Sequence, residues 1–181
     1  MPKTTPSYRE TKYGVLSISE IEGVIFDNLI QTKAFILRNY RNLEWNIETL
    51  LHIHRLLAWS HFEEAGSYRK HQVQLGDFTP ISFFEVPIEM HKLDADREER
   101  LLYAKTEWEK KEVLAYVMWR LLWIHPFFDY NGRSVRLFGE LFLLKEHMSL
   151  STFSGASRYD FTEAMKRATA EWIFDDIIEL L

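Results

Sequence analysis

With 181 residues, 46% of them hydrophobic and 15% aromatic, the chain is long enough for one domain with a substantial core. A formal charge of −5 argues against a broad nucleic-acid footprint, and the lack of cysteine excludes disulfides, thiolate metal sites and a Cys nucleophile. No run approaches the roughly 18 apolar residues of a spanning helix, and Met1 to Ser17 lacks a signal's apolar core, so the expectation is a soluble, cytoplasmic protein with no membrane or direct nucleic-acid binding.

Met1 to Gly14 has two prolines and no periodicity, and reads as a flexible arm, ordered only if it docks on the body, ahead of a single domain over residues 15–181. Helical spacing begins near Ser19, with Ile21, Val24, Ile25, Leu29, Phe35 and Ile36 recurring at three- and four-residue steps. Ser19-Glu20-Ile21-Glu22 fits a capping box with Ser19 as N-cap. A second helix is expected from about Asn46 to Glu64, with Ile47, Leu50, Leu51, His54 and Leu57 inward and Gly66 closing it. From Tyr68 to Phe84 the pattern changes. Val73 and Leu75 alternate with Gln72 and Gln74, Gly76-Asp77 offers a turn, and Ile81 to Phe84 is apolar, which predicts a small hairpin.

Val86 to Leu93 reads as a short helix with Pro87 in its first turn, and Asp94 to Arg100 as a solvated charged stretch, a loop followed by a helical segment. Thr106-Glu107-Trp108-Glu109 is another capping box, opening a helix that Pro126 stops near Ile124. A helix from Ser134 to about Glu146 follows, then a Ser-rich loop from Met148. Ser157-Arg158-Tyr159-Asp160 caps a last helix carrying Phe161, Ala164, Met165 and Ala168, which bends or breaks before Ile173. The chain is therefore expected to be mostly α with one small hairpin.

Chemistry concentrates in His125-Pro126-Phe127-Phe128-Asp129-Tyr130-Asn131-Gly132-Arg133-Ser134-Val135-Arg136, between two apolar helices. An imidazole, a carboxylate and an Asn-Gly turn precede a helix start, whose unpaired amides and positive dipole end suit an anion. Arg133 and Arg136, three apart, share a helix face. Together they favour a polyphosphate beside a His and an Asp, although each residue alone also fits a turn, a cap or a surface ion pair. The other histidines lack ligand-like spacing; His52 and His54, two apart, diverge on a helix.

This stretch resembles the signature of the Fic family, His-Pro-Phe-x-(Asp/Glu)-Gly-Asn-Gly-Arg-x-x-Arg. It agrees at each specified position except Tyr130, which stands where the signature has its first Gly. Ala65-Gly66-Ser67-Tyr68-Arg69, the Val86-to-Leu93 helix and Ser157-Arg158-Tyr159 are also similar, so the resemblance covers most of the chain after Ile47. It implies the Fic fold, a helical bundle around a central motif-bearing helix pair with a hairpin flap. The implied activity is transfer of AMP from ATP, with Mg²⁺, to a Ser, Thr or Tyr hydroxyl of a protein target.

By the same resemblance His125 is the general base, Asp129 holds Mg²⁺, Asn131 and Gly132 line the anion hole, and Arg133 and Arg136 bind outer phosphates. The hairpin, through Val73, Leu75, Phe78, Phe83 and Phe84, would dock the target by strand addition; Phe83 and Phe84 could equally cover the core. Ile18 to Gly23 is similar to the family's inhibitory helix, which makes Ser19 and Glu22 regulatory and pairs Glu22 with Arg136. The plain alternative is a capping box. A Tyr at position 130 can point to solvent, intrude on the nucleotide, or be strained if the turn needs φ above zero. Two further readings therefore stand beside AMP transfer: a catalytically weak or silent nucleotide- or partner-binding protein, and transfer of a phosphoryl or phosphocholine group. A homo-oligomer is compatible with all three.

Overall fold

The computed structural model describes residues 8–76, 78–150, 153 and 155–181. Residues 1–7 of the expected arm and Asp77 of the expected turn lie outside the described residues. The elements are β1 (Tyr8–Thr11), β2 (Gly14–Ser17), α1 (Ile18–Asn39), α2 (Ile47–Ala58), α3 (Val86–Tyr103), α4 (Glu107–Ile124), α5 (Asn131–Lys145), α6 (Arg158–Glu171) and α7 (Asp175–Glu179). The architecture is mostly helical, as expected, and no helix among the described residues is long and apolar enough to cross a membrane.

The core forms where α5 packs on α2 and α4, with α1 against α2, α3 against α4, and α6 and α7 closing over α4. Leu50, Ile53, Leu114, Leu121, Phe127, Phe138 and Phe142 fill it, each essentially inaccessible. Trp45 stacks on Phe138 and donates its indole N–H to the Phe138 carbonyl at 2.9 Å. Gly139 lets the α4–α5 pair close up: a Cβ there would lie 3.1 Å from Met118 Sδ. The motif loop thus hangs between two helices that are themselves fixed in the core.

Several boundaries differ from the sequence reading. Part of the expected arm pairs as a hairpin, β1 with β2 antiparallel, Arg9 facing Leu16. It docks through Lys12, whose amide donates to the His61 carbonyl at 2.8 Å and whose ammonium donates to the Trp59 carbonyl at 2.6 Å. The capping box of α1 is Ser17 with Glu20, two residues before the expected Ser19 and Glu22. Helix α2 ends at Ala58 rather than near Glu64. Helix α3 runs through the charged stretch, because Asp94 and Arg97 pair at 2.8 Å and Asp96 accepts from the Tyr116 hydroxyl of α4 at 2.8 Å. Helix α5 starts at Asn131, not Ser134. The boxes at Thr106 and Ser157 stand where expected.

The hairpin expected between Tyr68 and Phe84 is reduced to one antiparallel bridge, Leu75 with Phe78, their amides and carbonyls meeting at 2.9 and 3.1 Å. Its two legs are joined by side chains instead of a ladder.

Candidate active site

Two residues in left-handed conformation bracket the motif loop: His125, the C-cap of α4, at φ 52° and ψ 62°, and Tyr130, the N-cap of α5, at φ 59° and ψ 13°. Each reverses the chain at one end of a short connection, a conformation that costs a residue with a Cβ about a kcal/mol. The surrounding contacts hold it. Phe127 is fully buried, and the Asn131 side chain grips its backbone twice, Oδ1 accepting from the Phe127 amide and Nδ2 donating to its carbonyl, both at 2.9 Å.

His54 of α2 supports the loop from beneath. Its Nδ1 accepts the Gly66 amide at 2.9 Å, so the other nitrogen carries the proton, and Nε2 meets the Asp129 carbonyl at 3.2 Å. Burial lowers the His54 imidazole to about 4, partly opposed by Asp129. Gly66 itself has φ 77°, and a Cβ there would meet Arg55 at 2.8 Å, so glycine is required to bring its amide to His54. Arg69 is also buried. Its guanidinium donates to the His125 carbonyl at 2.8 Å and the Ile81 carbonyl at 2.6 Å, and its amide donates to the Pro126 carbonyl at 2.8 Å.

Burial lowers the His125 imidazole to about 4; the Leu122 carbonyl and the Asp129 carboxylate act against this, and the Arg69 cation adds to it. Its Nδ1 is buried without a well-aligned hydrogen-bond partner, so the Leu122 carbonyl acts as a nearby dipole rather than a formed bond. The ring is therefore neutral at physiological pH, the form that accepts a proton. Asp129 is half-exposed, and its Oδ1 accepts the Tyr130 amide at 2.7 Å. The amides of Asn131, Gly132 and Arg133 begin α5 and have no carbonyl one turn back to meet, the usual reason a helix start holds an anion.

The structure brings together His125, Asp129, Asn131, Gly132, Arg133 and Arg136 in one loop and the first turns of one helix. Tyr130 does not point to solvent. Its ring is 4% exposed and belongs to a cluster with Ile21, Ile25 and Ala58, with Phe62 packed beside it, and the Arg133 guanidinium lies 5.0 Å from its centre. The start of α1 is thereby joined to the motif. The pair implied between Glu22 and Arg136 is not formed: Glu22 is exposed, while Arg136 Nη2 donates to the carbonyls of Ala156 at 2.6 Å and Phe153 at 3.2 Å. Ser19, also exposed, meets Ser17 through their hydroxyls at 3.1 Å.

In the flap, Leu75, Phe78 and Phe84 are exposed, Val73 and Phe83 half-buried, and the Phe83 and Phe84 rings lie 3.9 Å apart. The site residues that sequence reasoning missed are His54 and Arg69. A histidine on a helix stripe otherwise made of Ile and Leu was the signal for the first. Its place in the similar segment Ala65 to Arg69 was the signal for the second.

Residues 44–143 match the sequence model of the Fic/DOC family. A protein adenylyltransferase Fic from Nematostella vectensis is 29% identical over 158 residues, 85% of this chain and 34% of that protein, so the chain spans about a third of that relative's length. Among solved structures, the BepC protein of Bartonella tribocorum with bound AMPPNP has a TM-score of 0.74 at 20% identity, over 98% of this chain and 91% of that one. The N-terminal Fic domain of an effector from Bartonella quintana with bound ADP has a TM-score of 0.76 at 18% identity, over 98% and 90%.

Proposed function

The chain belongs to the Fic/DOC family, and on that premise we propose that it transfers AMP from ATP to a hydroxyl side chain of a protein target. The observation that carries this reading is a neutral, half-buried His125 held in one loop with an amide-rich helix start and two arginines. Arg133, Arg136 and the first amides of α5 hold the polyphosphate. His125 takes the proton of the incoming hydroxyl, whose oxygen attacks the α-phosphorus. The bond to the bridging oxygen breaks, and pyrophosphate leaves with the electron pair.

Asp129 is the residue that would hold Mg²⁺, since a half-exposed carboxylate is the hard oxygen donor that this ion prefers. When bound, the ion neutralises phosphate charge. The flap presents the target's backbone, with Leu75, Phe78 and Phe84 as its apolar contacts. Glu22 acts as a brake on Arg136; the cluster that joins the start of α1 to Tyr130 supports this, by bringing the Glu22 turn to the motif.

Incubation with ATP and Mg²⁺ followed by intact-mass measurement tests the reading. A gain of one AMP, lost in His125→Ala, supports it. A different increment points to another transferred group, and nucleotide binding without any increment, in wild type and Glu22→Gly alike, defeats it in favour of a silent binding protein.

A further inference from the structure

Arg69 is 2% exposed, yet no carboxylate pairs with it among the described residues. A buried cation without a counter-ion is costly, and a residue serving only to pack would be apolar. What the guanidinium has instead is a ring of carbonyls from two separate parts of the chain. Nε donates to His125 at 2.8 Å and Nη2 reaches Ile124 at 3.4 Å, both at the end of α4. Nη2 also donates to Ile81 at 2.6 Å, and Nη1 to His71 at 3.2 Å, one carbonyl on each leg of the flap. The neighbouring Gln72 repeats the arrangement, its Nε2 donating to Pro80 at 2.9 Å and Ile81 at 3.3 Å while its Oε1 lies 3.5 Å from Arg69 Nη1.

The flap's base is thus closed by two side chains, and one of them also holds the backbone of the proposed base. We propose that Arg69 is a positioning residue that registers the target-docking flap against His125, with Gln72 completing the closure. This rests on the reading of His125 as the base and of Tyr68 to Phe84 as the docking flap. A lysine offers charge without the planar fork and cannot span carbonyls on both sides at once.

The test uses Arg69→Lys and, because that site is buried, Gln72→Ala at an exposed position. Amide hydrogen exchange of the protein without nucleotide should be faster at Leu75 and Phe78 by about tenfold or more in Arg69→Lys, and by less in Gln72→Ala, with α2 and α4 unchanged. Self-modification with ATP and Mg²⁺ should fall by about tenfold, while affinity for a non-hydrolysable ATP analogue changes by less than about twofold. Flap exchange that stays at wild-type rates in both variants overturns the proposal, as does equal loss of nucleotide affinity and transfer. If Arg69→Lys does not fold, Gln72→Ala decides. If wild type transfers no AMP, the reaction assigned above fails, and the exchange measurement still decides whether Arg69 holds the flap.

Discussion

His54 lies flat on Phe127, ring centroids 3.8 Å apart and planes 5° from parallel, while its two nitrogens bridge the Gly66 amide and the Asp129 carbonyl. One side chain of α2 therefore fixes both the buried anchor and the carboxylate-bearing turn of the motif loop. That arrangement uses the neutral ring, because protonation would turn Nδ1 from acceptor into a donor facing the Gly66 N–H.

The sign of the resulting pH dependence follows. With the folded imidazole at about 4 and an ordinary histidine at 6.5, the unfolded chain binds more protons in that window, so stability falls as pH drops through it. The loss reaches roughly 3 kcal/mol near the lower end. His54→Phe keeps the stack but removes the acceptor of the Gly66 amide and the donor to the Asp129 carbonyl, costing roughly 1–3 kcal/mol at neutral pH. The variant lacks this titration and retains that of His125. The stability gap to wild type should therefore narrow by roughly 2 kcal/mol between about pH 7.5 and about pH 4.5. Urea midpoints across that range measure it; a constant gap would show that His54 is not held neutral.

Tyr130 combines an unfavourable backbone with a favourable side chain. At φ 59° a glycine would relieve about 1 kcal/mol of strain. Loss of the ring from the cluster with Ile21, Ile25 and Ala58 would cost roughly 3 kcal/mol by comparison with other buried aromatic truncations. Tyr130→Gly should then be less stable by about 2 kcal/mol, with faster amide exchange in the first turns of α1, which loses its contact with the motif. A Gly variant as stable as wild type would mean that the ring contributes little.

How much of this was legible in the sequence depended on range. The boxes at Thr106 and Ser157 and the stop at Pro126 are set by side chains three or four residues apart, and they stand where the sequence put them. The motif residues gather because they are adjacent in the chain. The start of α1 was misplaced because Ser17 with Glu20 and Ser19 with Glu22 are the same pattern in two registers. The structure uses the earlier one, where Ser17 Oγ accepts the Glu20 amide. The charged stretch did not read as continuous helix because the partners that hold it, Tyr116 above all, lie on another helix; Glu98, Glu99 and Arg100 are exposed, as expected. Alternation at Val73 and Leu75 suggested strands, but Arg69 and Gln72 close the flap through carbonyls that no local pattern announces. His54 and Arg69 stood out by position, but their partners, distant in the chain, could not be read locally.

The two registers at the head of α1 can be separated by mutation. Ser17→Ala removes the acceptor of the Glu20 amide, at 3.3 Å, and the partner of its carboxylate, and should cost about 1 kcal/mol. Ser19→Ala, at an exposed site inside the helix, should stay within about 0.5 kcal/mol of wild type. Chemical denaturation of both variants checks this, and a larger loss in Ser19→Ala would restore the later register.

The restraining role of Glu22 makes a different demand. Its carboxylate is exposed, and Arg136 is occupied by the carbonyls of Phe153 and Ala156 through one terminal nitrogen. A guanidinium has donors to spare, so a carboxylate brought to it can still compete with the outer phosphate. Removing that competitor should raise self-modification with ATP and Mg²⁺ about tenfold or more. Glu22→Gly also weakens α1 by about 1 kcal/mol, which alone could loosen the site, so Glu22→Gln is the decisive partner variant. It keeps the helix and removes the charge. Both variants should gain activity if the charge is the brake; a gain confined to Glu22→Gly would assign the effect to loosening of α1, and no gain in either would remove Glu22 from regulation.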